Sequence, residues 1–195
     1  MMTEVEAQLI RAKIRSDVEQ IIPLDDLERT HINDVLAWID SGADLFRIQK
    51  PDLPPKHLVS YFVLVDVKQR SILLVDHIKA QLWLPTGGHV FPNEDPKAAV
   101  VREADEELRM KATFLHNNDR PFFVTVNTTG GLTPGHDDVS LWYLVKGDVH
   151  EFINFDNTEF KDIEWYTFDE ILELDPIIFD RHLHRFTRKL AAYIS

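Results

Sequence analysis

The sequence predicts an α/β (α+β) chain in which helices cover both faces of a mixed β-sheet, preceded by a helical hairpin. Three observations carry this reading. β-Branched and aromatic runs bounded by turn residues are interleaved with helical patterns along most of the chain. Two capping signals, Thr3 with Glu6 and Asp25 with Glu28, each precede apolar residues at helical spacing near the N-terminus. Between Pro96 and Leu108, charged and apolar residues separate onto faces only if the segment is wound as a helix.

Taken in order, the first helix is predicted from Val5, Leu9, Ala12, Val18 and Ile21 and ends by Pro23. The second carries Leu24, Leu27, Val35, Leu36 and Ile39 and stops at Gly42. Residues 1–48 thus form the expected hairpin, which holds no catalytic constellation. Its expected role is packing or assembly of a homodimer, and covering the substrate cleft is the alternative. Residues 49–56, with three prolines, read as a linker, and 57–195 as the main domain. His57 to Val67 and Ser71 to Val75 are predicted strands. Trp83, Leu84 and Pro85 then lead through Thr86, Gly87 and Gly88 into the charged helix. Pro121 to Thr128 and Val139 to Val145 are a predicted strand pair, joined by a loop holding Gly130, Gly131, Pro134, Gly135, His136, Asp137 and Asp138. A further strand is expected from Glu159 to Tyr166. Thr167 with Glu170 caps a short helix. Asp175 and Pro176 open the last helix, whose predicted buried stripe is Phe179, Leu183, Phe186, Leu190 and Tyr193.

Composition removes several function classes. A formal net charge of −12 opposes any surface that wraps a polyanion, so long nucleic acid is not an expected partner. A small phosphorylated substrate is compatible, because bound cations invert the local field of an acidic site. The sequence has no cysteine, which excludes disulfides, zinc–thiolate sites and thiol catalysis and suits a reducing compartment. The N-terminal segment lacks the apolar core of a signal peptide, and no apolar run approaches the ~18 residues of a membrane span. A cytoplasmic location without a membrane partner is therefore expected.

The chemistry is concentrated between Gly88 and Met110, GHVFPNEDPKAAVVREADEELRM. At about 100° per residue, Glu103 and Glu107 lie about 40° apart, with Glu106 about 60° to the other side of Glu103. Three carboxylates then share a face, with Ala98, Val101, Ala104 and Leu108 predicted to press the opposite one onto the core. Like charges so arranged destabilise a helix unless a cation sits among them, and a divalent metal is the candidate. The plain alternative is a solvated acidic face supported by Arg102 and Glu106.

The spacing resembles the Nudix box: glycine, five residues, glutamate, seven residues, then Arg-Glu-aliphatic-x-Glu-Glu-x-Gly-aliphatic. Gly88, Glu94, Arg102, Glu103, Glu106 and Glu107 match, and Met110 fills the last apolar position. Ala104 stands where a larger aliphatic is usual. Arg109 replaces the closing glycine that normally supplies a left-handed turn, so the helix is expected to run on a little.

This resemblance implies a Nudix α/β/α sandwich over roughly His57 to Tyr166, and Mg²⁺- or Mn²⁺-dependent hydrolysis of a nucleoside diphosphate linked to another group. It implies Glu103, Glu106 and Glu107 as metal ligands, with the Gly88 carbonyl a further one, and Arg102 orienting Glu103, which could double as the base. Glu94 is expected to fix the loop. The segment HDDVSLWYLV is similar to the corresponding region of the mutator-T type nucleoside-triphosphate pyrophosphohydrolases. In that branch a further metal-binding glutamate lies six residues before a strand tryptophan, as Glu159 does before Trp165. Asp137 and Asp138 compete with Glu103 as the base. His136, Asp137 and Trp83 are the candidate substrate contacts; most other aromatics, at alternating strand positions, read as core. His89 could touch phosphate or structure its loop, and His182 and His184 point in different directions on a helix. The leading expectation is a nucleoside-triphosphate pyrophosphohydrolase. The alternative is a non-catalytic Nudix-fold nucleotide-binding or regulatory module.

Overall fold

The computed structural model describes residues 4–49, 53–129 and 135–194. Thr3, Gly130, Gly131 and Pro134 lie outside the described residues. The hairpin consists of α1 (Glu4–Glu19) and α2 (Asp26–Asp40). In α2 the Asp25 side chain accepts from the Glu28 amide, but Glu28 reaches back to the Leu24 amide, at 2.6 Å, instead of closing a reciprocal box on Asp25.

Among the described residues seven strands follow: β1 (Lys56–Asp66), β2 (Ser71–His77), β3 (Leu82–Leu84), β4 (Thr86–His89), β5 (Phe123–Thr128), β6 (Asp137–Lys146) and β7 (Phe160–Thr167). The sheet runs β3-β2-β1-β6-β5, with β4 also on β1 and β7 also on β2. It is mixed because β1 and β6 are parallel while the other pairs are antiparallel. Among the described residues three further α-helices accompany the sheet: α3 (Pro96–Leu108), α4 (Phe168–Glu173) and α5 (Leu183–Tyr193).

Strand alternation sends side chains to two cores. On one face Leu58, Phe62, Val124 and Tyr143 join Ile14 and Val18 of α1, Val35 and Ile39 of α2, and Ala99, Val100, Ala104 and Leu108 of α3. On the other, Val63, Val65, Ile72 and Trp142 meet Phe168 and Ile171 of α4 and Leu183, Phe186 and Leu190 of α5. The result is the three-layer α/β/α arrangement. A buried ion pair binds the ends of the chain together: Lys189 of α5 donates to Glu28 at 2.7 Å and to the Phe122 carbonyl at 2.7 Å.

Several expectations need correction. Val5 and Leu9 are each 65% exposed, because α1 meets the core through Ile10, Ile14 and Val18. Leu24 and Leu27 are exposed as well, and His31, Ile32, Val35 and Ile39 form the inner stripe of α2. In α3 the apolar contact is made by Pro96, Ala99, Val100, Ala104 and Leu108, while Ala98 and Val101 face outward. Arg109 adopts the left-handed conformation itself (φ 50°, ψ 36°), so α3 stops at Leu108 and does not run on. Asp175 and Pro176 open only a 3₁₀ turn, Pro176–Ile178. Phe179 then extends to bridge Trp83, α5 begins at Leu183, and Tyr193 is exposed. Among the described residues no helix is long and apolar enough to cross a membrane.

Candidate active site

The site is built where α3 lies along β4. Asp95 caps the helix by accepting from the Lys97 amide, and Pro96 fits the first turn, where its missing N–H costs nothing. The Pro96 carbonyl is held by the hydroxyl of buried Ser60 on β1, at 2.9 Å. Beside it, β4 lies antiparallel to β1, with Gly88 opposite Ser60 and Gly87 opposite Tyr61.

A side chain at either glycine would meet a neighbour, backbone at Gly87 and a movable carboxylate at Gly88. At Gly87 (φ +144°) a Cβ would sit 2.1 Å from the Ser60 carbonyl oxygen; at Gly88 it would sit 2.0 Å from Glu103 Oε1. The Glu103 carboxylate therefore lies directly against the Gly88 backbone, in the space a side chain would fill.

Arg102 organises the surrounding acids. Its Nε and Nη2 donate to the two Glu94 oxygens at 2.9 Å each, a bidentate pair. Nη1 donates to Glu103 at 2.6 Å and to Glu106 at 3.3 Å, and Nη2 also reaches the His89 carbonyl at 3.1 Å. The guanidinium covers the Phe91 ring at 3.9 Å. Glu94 closes the loop by accepting from the Phe91 amide.

Glu107 draws on neutral donors instead, the Thr86 hydroxyl and the Gly87 amide. The three helix carboxylates do not share one environment. Glu103 and Glu107 are 9% and 7% exposed, while the Glu106 side chain is 57% exposed.

Burial raises the pKa of Glu103, opposed by Arg102 and assisted by Glu106 and Glu159. Burial likewise pushes Glu107 up to about 8 against its Thr86 hydrogen bond, with Glu103 and Glu159 adding repulsion. Burial works against the charge of Arg102, but Glu94 and Glu103 more than offset it and raise its pKa. One guanidinium thus serves three carboxylates, and among the described residues no cation pairs with Glu107. A hard, oxygen-only set of this kind suits Mg²⁺ or Mn²⁺.

The other candidates are spread around this centre. Glu159 immediately precedes β7, and its field reaches both Glu103 and Glu107; its carboxylate is 3.8 Å from Lys79. Trp83 packs edge-on against Tyr166 at 5.5 Å and belongs to the core under α4 and α5, across the sheet from α3. Asp137 accepts from the Thr128 hydroxyl at 2.7 Å. His136 is buried and meets His57, His89 and Asp138 in a second cluster. Sequence reasoning missed Thr86 and Ser60 as supports, and gave His57 no role beyond opening a strand. The spacing from Thr86 to Glu107 carries no local signal, because their contact exists only once β4 lies along α3.

A NUDIX domain family model matches residues 55–186. Among solved structures, a hydrolase of the NUDIX family from Clostridium perfringens is similar with a TM-score of 0.56 and 23% identity, over 70% of this chain and 97% of that one. A MutT NUDIX hydrolase from Burkholderia pseudomallei gives 0.51 and 20%, over 69% and 98%. A C. elegans Ap4A hydrolase binary complex gives 0.55 and 16%, over 70% and 96%. At these identities the likeness to the solved structures is one of fold. No curated protein matches the chain.

Proposed function

This chain belongs to the NUDIX family and is a hydrolase of pyrophosphate bonds, and on that premise we propose that it acts on a nucleoside triphosphate with Mg²⁺ or Mn²⁺ at the α3 carboxylates. The observation that carries the proposal is the seating of two buried carboxylates, Glu103 on Gly88 and Glu107 on Thr86 and Gly87, at the rim of one helix and one strand.

Glu103, Glu106 and Glu107 would hold the metal, with the Gly88 carbonyl and Glu159 as further oxygen donors. When bound, the metal neutralises the pyrophosphate and the charge that develops on the leaving oxygen. Arg102 fixes Glu103 in one rotamer by a charge-assisted hydrogen bond, and Glu103 orients the attacking water and accepts its proton. Glu94 holds Arg102 and the loop at Phe91 in place. Glu106, at the exposed edge, is placed to meet the phosphates as they arrive.

The nucleoside-triphosphate assignment draws on HDDVSLWYLV and on Glu159 preceding Trp165 by six residues. The solved structures of similar fold include both a MutT NUDIX hydrolase and an Ap4A hydrolase, so the test must contain both substrate types. A cytoplasmic setting completes the proposal, in keeping with a cysteine-free sequence.

A panel of nucleoside triphosphates, dinucleoside polyphosphates and nucleotide sugars, assayed with Mg²⁺ and Mn²⁺ and with ³¹P NMR of the products, tests it. Pyrophosphate released from a triphosphate, and lost on Glu106→Gln or Glu107→Gln, is the expected result. Turnover unchanged in both variants would sink the metal assignment. Nucleotide binding that is equally tight in chelator, with no product, would point instead to a binding module.

A further inference from the structure

The parallel pairing of β1 with β6 sets His57 directly opposite Asp138, and the antiparallel pairing of β4 brings His89 alongside. His136, just before β6, stacks on His57 with ring centroids 5.0 Å apart. The four donor atoms converge within 4.8 Å of one another. Asp138 Oδ1 is 3.3 Å from His57 Nε2, 3.3 Å from His136 Nε2 and 4.0 Å from His89 Nε2.

From these positions we propose that His57, His89, His136 and Asp138 form a binding site for a zinc-class divalent cation, separate from the carboxylates of α3.

Three observations support it. The first is tautomeric. His57 Nδ1 lies 2.8 Å from the Pro54 carbonyl, which can only accept, so Nδ1 carries a proton and Nε2 is the nitrogen presented to Asp138. His136 has a similar outer support: the Thr129 hydroxyl lies 3.1 Å from its Nδ1 and donates to its carbonyl. Supports of this kind, on the ring nitrogen facing away from the ion, orient metal-binding histidines.

The second observation is an unmet need. Buried His57 Nε2 and Asp138 Oδ1 approach each other to 3.3 Å, yet neither makes a hydrogen bond. Two buried polar atoms facing one another in that way have a use for a cation between them.

The third is size. Tetrahedral zinc with bonds of ~2.0–2.1 Å separates neighbouring donors by ~3.3–3.4 Å. Two of the Asp138 separations already have that value, and the third needs a contraction of about 0.7 Å. Three imidazoles favour zinc and its neighbours in the first transition row over Mg²⁺, and four protein ligands make a closed, structural site. The ion would pin the start of β1, the end of β4 and the start of β6. His89 follows Gly88, and its carbonyl accepts from Arg102, so the clamp stands directly behind the α3 site.

The test uses the full chain stripped of metal by chelation, with excess Mg²⁺ present to occupy the α3 carboxylates. Zn²⁺ is titrated in competition with a chromophoric chelator, and Co²⁺ is followed by its visible spectrum. One Zn²⁺ per chain is expected, with the intense Co²⁺ bands of tetrahedral coordination. Asp138→Asn and His136→Gln should each weaken Zn²⁺ at least ~10-fold, while Glu107→Gln leaves it unchanged. Failure to bind Zn²⁺ stoichiometrically, displacement by Mg²⁺, or loss on Glu107→Gln with retention in the folded Asp138→Asn protein would each overturn the proposal. Should those two variants misfold, ¹⁵N-edited NMR of the wild-type histidines decides. The Nε2 resonances of His57 and His136 must move on adding Zn²⁺, and unmoved resonances refute the site.

Discussion

Replacing Gly88 by alanine isolates the contact on which the proposed chemistry depends. The new Cβ would stand 2.0 Å from Glu103 Oε1 and 2.5 Å from its Cδ, against an ordinary contact distance of at least 3.4 Å. The carboxylate must therefore retreat by about 1.4 Å. The backbone at Gly88 is not in the left-handed region, and the obstructed group is the far end of a side chain, so the fold can absorb the change. A shift of ~1 Å in a positioned group costs about 10²-fold in rate, or about 2.7 kcal/mol of barrier. Gly88→Ala is thus expected to lose about 100-fold in kcat with Mg²⁺, while its Tm falls by no more than ~3 °C. Gly87→Ala supplies the contrast, because there the clash is with the Ser60 backbone at φ +144°, and stability is what should fall. Steady-state kinetics and thermal unfolding of the two variants side by side decide the matter. Full activity in Gly88→Ala would refute the claim that Glu103 works from that seat.

Three further outcomes are expected. Arg109→Gly should raise the urea midpoint by the equivalent of about 1 kcal/mol, since arginine holds a left-handed conformation that glycine adopts without cost; an unchanged midpoint would show that the Arg109 side chain offsets its own strain. Lys189→Met leaves Glu28 buried without its cation, and equilibrium unfolding should show a loss of about 3–5 kcal/mol; a loss under about 1 kcal/mol would mean the pair is dispensable. His182 is held down to about 3 by burial and then by Arg185. The unfolded chain therefore binds the extra proton first, and His182 costs nothing above pH 6.5 but destabilises increasingly as the pH falls from about 6.5 toward about 3. Urea midpoints at pH 7 and 5 should draw closer together in His182→Gln, and an equal acid sensitivity in the variant would count against this.

Local rules were enough for much of the fold. The start of α3, the capping of α4 by Thr167 and Glu170, and five of the strands follow from spacing and turn residues that act within a few positions of each other. The failures share a cause. Ala98 and Val101 fit a helical spacing as well as Ala99 and Val100 do, and only the sheet beneath decides which pair is covered. Val5 and Leu9 look like core residues until the reach of the sheet is known. At Arg109 the helix closes through a left-handed residue and a bond from its N–H to the Ala104 carbonyl, a conformation arginine does not itself favour.

In the site, the pairing of Arg102 with Glu103 is readable because the two are neighbours on one helix, whereas the bidentate hold of Glu94 on Arg102 appears only in the structure. Thr86 against Glu107 is not readable either, and still less is His57 beside Asp138. Those two are 81 positions apart, and only the parallel pairing of β1 with β6 makes them neighbours.

The core shared by the hairpin and the sheet also bears on how such a chain can change over generations. Leu58, Phe62 and Val124 are covered in part by Ile14, Val18 and Val35, and Glu28 is matched by a lysine from the last helix. Each of these residues suits a protein that already has the others. A lineage that lost the hairpin would inherit an oily sheet and a stranded lysine together, and no single substitution repairs both. The hairpin is therefore part of what closes the core of the sheet, whether or not it ever touches substrate.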